Sequence, residues 1–135
     1  AIRFMKQQGS GNIINISSMV ARNPFKNRTA YNCCKTALIA FTQTLAKEVG
    51  MEGIRVNCIL PGVVMTERLK ASIVRHAEAA NVPLEKFKNE WKAWSVMNRF
   101  VEPEEIAKVA LFLASDDSSA MTGQSLNVTA GAIMS

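Results

Sequence analysis

Apolar residues first gather in Asn12-Ile13-Ile14-Asn15-Ile16-Ser17-Ser18, a short β-branched run entered through Gly9-Ser10-Gly11. A run of that length and composition predicts a buried strand. Beyond a loop containing Asn23-Pro24 the period changes, with Tyr31, Leu38, Phe41, Leu45 and Val49 recurring at helical steps. This predicts an amphipathic helix that ends near Gly50 or Gly53. A second strand follows in Ile54-Arg55-Val56-Asn57-Cys58-Ile59-Leu60, closed by Pro61-Gly62. Strand, helix and strand in this order make a βαβ unit, whose strands run parallel and whose crossover is right-handed.

Residues 66 to 100 differ in texture, being charged, carrying Trp91 and Trp94, and broken at Asn81-Val82-Pro83. They predict two helices, Thr66 to Ala80 and Pro83 to Val96, forming an excursion from the sheet. Pro103-Glu104-Glu105 opens a further helix running through Ala114, with proline at its first position and acids in the turn where the dipole favours them. Thr122-Gly123-Gln124 leads into a last short strand, Ser125-Leu126-Asn127-Val128. The first eight residues read as the end of a helix. No internal repeat or linker interrupts the series. Three strands are few for a doubly wound sheet, which usually has more strands and helices on both faces.

Composition narrows the class. The chain has 135 residues, 48% apolar and 20% charged, which suits one globular domain and excludes a low-complexity disordered chain. The longest apolar runs, such as Val109 to Ala114, fall far short of the ~20 residues of a membrane span. No apolar core follows the charges of the first residues, so nothing there resembles a signal peptide. Cys33, Cys34 and Cys58 are an odd count without metal spacing. Cys58 fits a small core residue, and a reducing, cytoplasmic setting is expected.

The formal charge is +5, and residues 1 to 35 alone hold six basic residues and no carboxylate. Arg3, Lys6, Arg22, Lys26, Arg28 and Lys35 are scattered rather than clustered, and no aromatic-basic platform accompanies them. Nucleic-acid binding is therefore not expected.

Tyr31 and Lys35 stand four residues apart, hence on one helix face. An ammonium beside a phenol favours the phenolate, which suits the pair to general acid/base work. A tyrosine at a helix-sheet seam beside a solvated lysine has the same spacing and no chemistry. Ser18 changes the balance, because it closes the strand before the Tyr31 helix. It thus lies at the carboxyl end of a parallel strand, where open α/β sheets place ligands. Its hydroxyl there either donates to a substrate carbonyl or satisfies loop backbone. Pro61-Gly62-Val63-Val64-Met65-Thr66 ends the next strand in the same crevice. Thr66 suits a ligand contact and a helix N-cap equally.

Together these residues resemble the short-chain dehydrogenase/reductases. Asn15-Ile16-Ser17-Ser18 is similar to the family's Asn-x-Ser-Ser strand, with the serine thirteen positions before the tyrosine. Tyr31-Asn32-Cys33-Cys34-Lys35 matches its Tyr-x-x-x-Lys, and Ile54-Arg55-Val56-Asn57 with Pro61-Gly62 and Thr66 its cofactor-side loop. Asn98-Arg99-Phe100, Pro103-Glu104-Glu105-Ile106-Ala107 and Met121-Thr122-Gly123-Gln124 match its C-terminal pattern. Residues 67 to 97 match least well. Val128-Thr129-Ala130-Gly131 stands where the family usually has Val-Asp-Gly-Gly, a loss of the aspartate that bears on a family subunit contact.

The resemblance implies an α/β fold, specifically a partial Rossmann-like doubly wound parallel sheet. The family's Gly-rich turn, its cofactor selector, its Asn-Asn-Ala-Gly strand and its helix asparagine have no counterpart among these residues. Residues 1–135 are therefore expected to form the C-terminal catalytic and lid portion of one Rossmann-like domain, without the dinucleotide-binding half. The implied activity is hydride transfer between NAD or NADP and an alcohol or carbonyl. The catalytic residues would be Ser18, Tyr31 and Lys35. Tyr31 would exchange the proton, Lys35 would favour its phenolate and hold the nicotinamide ribose, and Ser18 would steady the carbonyl. Cofactor contacts would come from Tyr31, Lys35, Pro61, Gly62, Val64 and Thr66, with no metal.

In the family the excursion after Pro-Gly covers the substrate. Here Arg68, Lys70, Arg75, His76, Lys86, Lys88 and Lys92 face Glu67, Glu78, Glu85 and Glu90, a bias that suits either an acidic substrate or solvated helix faces. Trp91 and Trp94 suit either a pocket lining or a packing stripe. His76 reads as a surface residue. The expected partners are a small-molecule substrate and further copies of the chain, as a dimer or tetramer. The alternative function is a catalytically silent chain acting as an oligomerisation module.

Overall fold

The three apolar runs form three strands because each alternates its side chains between two covered faces. A computed structural model describes residues 1–134. In chain order the elements are α1 (Ile2–Gln8), β1 (Gly11–Ile16), α2 (Thr29–Val49), β2 (Ile54–Pro61), α3 (Glu67–Ala79), α4 (Leu84–Lys92), α5 (Pro103–Ala114) and β3 (Ser125–Val128). The sheet has the order β1-β2-β3, and both pairs are parallel. Central β2 carries the core: Val56, Cys58, Ile59 and Leu60 are fully buried. On one face Ile54 and Val56 pack against Leu45, Ala46 and Val49 of α2. On the other face Arg55 reaches α5, so helices cover both sides of the sheet.

Polar side chains fasten these layers. The Arg55 guanidinium donates to the Leu113 and Ser115 carbonyls, both at 3.0 Å, and to Ser118 Oγ at 2.9 Å. It thereby satisfies carbonyls at the end of α5 that lack helical partners. Buried Asn57 donates to the Met121 carbonyl (2.8 Å) and accepts from the Gln124 amide (3.0 Å), which aligns the segment entering β3. At the start of α5, both guanidinium nitrogens of Arg99 donate to Glu105 at 2.7 Å. That carboxylate also accepts from the Glu102 amide (2.9 Å). The Arg99 hydrogen bonds, followed by the Glu102 amide, hold the Glu105 carboxyl at about 2, well below its ordinary range.

Two boundaries differ from expectation. The first strand stops at Ile16 rather than Ser18, because the Ser17 amide makes a last bond to the Ile59 carbonyl (2.8 Å) before the chain turns. Ser18 then caps the short 3-10 turn Met19–Ala21. Helix α4 stops at Lys92 rather than Val96. Buried Ser95 accepts from the Arg99 amide (3.0 Å), and Asn98 adopts φ +50, so the chain reverses there. Asparagine tolerates that left-handed conformation better than most residues.

Candidate active site

The site is built where β1 ends and α2 begins. Ser17, buried, donates from Oγ to the Lys35 carbonyl (2.6 Å), and Asn15 donates to Thr42 Oγ1 (2.9 Å). These two bonds lock the register of α2 against β1. Lys35 Nζ donates to the Ile16 carbonyl (2.9 Å) at the strand's last residue. The same ammonium lies 5.7 Å from the centroid of the Tyr31 ring. Tyr31 is 45% exposed, so its phenol is open to a ligand. Ser18 Oγ accepts a long bond from the Val20 amide (3.4 Å), which leaves its own proton available to donate. Lys35 thus joins Tyr31 to the carboxyl end of β1, which Ser18 follows by two residues.

The β2 side of the crevice is shaped by a close backbone approach. Pro61 is the last residue of β2, and the Gly62 amide donates to the Val128 carbonyl (2.9 Å). A Cβ on Gly62 would come within 2.7 Å of Thr129 Cα, so only glycine lets the β2 and β3 ends meet there. Val64 forms an isolated parallel bridge with Val101. That bridge uses the Val63 carbonyl (3.0 Å) and the Met65 amide (2.8 Å), leaving the Val64 amide outside it. Thr66 caps α3, accepting from the Leu69 amide at 3.2 Å. Its hydroxyl proton remains free to donate, so capping does not exclude a ligand contact.

Residues outside this set matter for position. Asn32 donates to the Phe25 carbonyl (2.9 Å), pinning the loop that leads into Tyr31. Sequence patterns singled out neither Phe25 nor Thr42, and gave Ser17 and Asn32 no role beyond membership of a motif, since each acts through a tertiary contact. Cys58 is a core residue, fully buried, and burial pushes its thiol up despite the Thr42 hydrogen bond. Cys33 and Cys34 are exposed on α2. Among the described residues, no three His, Cys, Asp or Glu side chains cluster as metal ligands, and no helix is long and apolar enough to cross a membrane.

The excursion stacks its rings against the loop that precedes α2. Phe25 meets Trp94 edge-on at 5.4 Å, Trp94 stacks on Trp91 at 5.1 Å, and Trp91 meets Phe87 at 5.9 Å. Phe87 lies 6.4 Å from the His76 ring. Charges of the same helices pair locally, Lys70 with Glu67 and Lys88 with Glu85, each at 2.7 Å. The Lys88 hydrogen bond lowers the Glu85 carboxyl, while Glu67 raises Lys70. Surface hollows beside Gln43 and Lys47 of α2, and beside Val74 and Leu84, lie away from Ser18, Tyr31 and Lys35. They are open dents in helix surfaces and carry no convergent catalytic groups.

Comparison with known proteins identifies the family and the fold. A family model described as enoyl-(acyl carrier protein) reductase matches residues 1–132. The chain is 45% identical over 130 residues to the 3-oxoacyl-(acyl-carrier-protein) reductase FabG of Chlamydia trachomatis, covering 96% of this chain and 48% of that protein. It therefore spans about half the length of this relative. Its fold superposes with a TM-score of 0.92 on L-sorbose reductase from Gluconobacter frateurii in complex with NADPH and L-sorbose, at 30% identity, over 99% of this chain and 51% of that one. An NAD+-bound xylitol dehydrogenase gives a TM-score of 0.85 at 31% identity, over 96% of this chain and 52% of that one. With the family model matching nearly end to end and a parallel sheet that superposes on these reductases, the chain belongs to the short-chain dehydrogenase/reductase family.

Proposed function

We propose that this chain is the catalytic and lid portion of a nicotinamide-dependent oxidoreductase that interconverts an alcohol and a carbonyl. The observation that carries the reading is the Lys35 ammonium, bonded to the end of β1 at 2.9 Å while standing beside the Tyr31 ring at 5.7 Å. This joins strand end, phenol and cation in a single unit. In the oxidative direction the Tyr31 phenolate takes the hydroxyl proton as the carbonyl forms. In reduction the phenol returns it to the developing alkoxide. Ser18 donates a hydrogen bond to the same oxygen and stabilises its negative charge. Lys35 uses one of its three donors on Ile16, keeping two for the phenolate side and for sugar hydroxyls.

The residues present fit a nicotinamide group. The Val64 amide and Thr66 hydroxyl are donors suited to a carboxamide. When bound, NAD or NADP would accept or supply the hydride at the carbinol carbon. Related structures hold NADPH in one case and NAD+ in another, which supports the cofactor class without selecting between them. Turnover is expected where the portion of the domain that grips the dinucleotide is also present. The test is Tyr31→Phe in the intact gene product, with NADH and NADPH oxidation followed at 37 °C on a carbonyl panel, ~37 °C being simply a working temperature at which a small domain stays folded. Loss of turnover with an unchanged circular dichroism spectrum supports the mechanism, and full retained activity ends it.

A second reading, an association module without turnover, is favoured by Leu111 at 71% and Phe41 at 52% exposure, apolar side chains outside the described core. Homo-oligomerisation is compatible with both readings. Sedimentation velocity alongside cofactor titration separates them: self-association without binding of NADH or NADPH favours the module.

A further inference from the structure

The rings packed on the loop before α2 point to the chemical class of the substrate, an inference that rests on the oxidoreductase reading. Phe25 belongs to the loop between Ser18 and Tyr31, and Asn32, the neighbour of Tyr31, holds its carbonyl at 2.9 Å. Against Phe25 stands Trp94, with ring centroids 5.4 Å apart and planes inclined at 67°. Trp94 in turn stacks on Trp91 at 5.1 Å and 14°. The aromatic stack of the excursion is therefore seated on the loop that joins Ser18 to Tyr31. Trp94 nevertheless keeps 47% of its surface exposed, although two rings already flank it. A ring used only for packing gains most by burying that surface.

Lys70 and Lys88 pair with Glu67 and Glu85 on their own helices. What the excursion offers beside Phe25 is π surface, and aromatic groups bind such surface by offset-stacked or edge-on contacts.

We infer that Trp94 and Phe25 determine specificity for an aryl carbonyl or aryl carbinol, its ring lying against Trp94 while its oxygen meets Tyr31 and Ser18. In reduction the carbonyl carbon receives hydride from the nicotinamide cofactor and the oxygen receives its proton from Tyr31, giving the aryl carbinol and the oxidised cofactor. Trp94 and Phe25 act on the ring and take no part in proton transfer.

The test compares acetophenone with cyclohexyl methyl ketone, which share a carbon skeleton and differ in ring aromaticity. Cofactor oxidation by the intact gene product gives kcat/KM for each, and isothermal titration with each ketone gives binding without turnover. A preference of about 3- to 10-fold for the aryl ketone is expected, the range that one aromatic pair supports. Trp94→Ala should abolish the preference, Trp94→Phe should restore most of it, and Phe25→Ala should reduce it in a chain with an unchanged circular dichroism spectrum. Equal kcat/KM for the two ketones, or a preference indifferent to both Trp94 variants, overturns the inference while leaving the oxidoreductase reading standing. Trp94-dependent binding preference for acetophenone without turnover of any carbonyl supports the aryl site and counts against the oxidoreductase reading.

Discussion

The βαβ core and the helical excursion are built on opposite principles. In β1, α2 and β2 the positions that matter are buried and bonded: Val56, Asn57, Cys58, Ile59 and Leu60 are fully enclosed, and Ser17, Asn15 and Arg55 tie strand to helix. In the excursion α4 buries no residue completely and α3 buries only Ile73 and Ala77. Its helices instead meet through the stacked rings of His76 and Phe87 and carry ion pairs in water. The first design suits the proton transfer proposed for Tyr31, since reacting atoms tolerate little displacement. The second costs little to rearrange, which suits a surface that must admit and release a substrate.

The sharpest way to break this contrast is at Tyr31. Tyr31→Phe removes the proposed proton donor and leaves the packing, so turnover should fall by at least ~10²-fold while thermal stability stays unchanged. Steady-state kinetics and melting of the same preparation check both halves. Next in size is Leu60→Ala, which should cost about 2–5 kcal/mol because the side chain is fully buried in β2. Leu84→Ala in α4, at 36% exposure, should cost less than about 1 kcal/mol. Urea unfolding of the pair measures the difference directly, and equal losses would refute the division between the two regions.

Acid offers a third probe, confined to the junction between excursion and α5. The Glu105 carboxyl sits at about 2 in the folded chain against an ordinary value of 4.5. A depressed carboxylate stabilises the fold fully above its unfolded value, and the contribution disappears as pH falls through the folded one. Melting temperature should therefore fall more steeply between pH 4.5 and about 2 in the parent than in Glu105→Gln. The smallest effect is expected at Ala130, held at φ +51 just beyond β3. Ala130→Gly should stabilise by up to about 1 kcal/mol by relieving left-handed strain, read as a small rise in melting temperature.

Much of this was legible from residue order because the signals are local. Pro103 with Glu104 and Glu105 marks a helix start, and the β-branched run at Ile13 and Ile14 marks a strand, whatever lies elsewhere. Thr66 as an N-cap was one of two roles its position offered. The premature end of α4 was not, since it depends on Ser95 being buried and bonded to Arg99, a state its own propensity does not encode. Arg55 and Asn57 illustrate the same limit. Within a strand beside Pro61-Gly62 they resembled part of a cofactor-side loop, yet the structure uses them to cap α5 and align β3. Trp91 and Trp94, three apart, fitted both a pocket and a packing stripe until their ring geometry separated a half-buried member from an exposed one.

The sequence by itself determined the βαβ order, the helix starts and the pairing of Tyr31 with Lys35, because these follow from spacing along one element. Only the tertiary structure decided that the Lys35 ammonium bonds the end of β1, that Gly62 must be bare against Thr129, and that Trp94 rests on Phe25. Those contacts join residues brought together by strand pairing and helix packing, and no local propensity specifies which distant side chain will arrive.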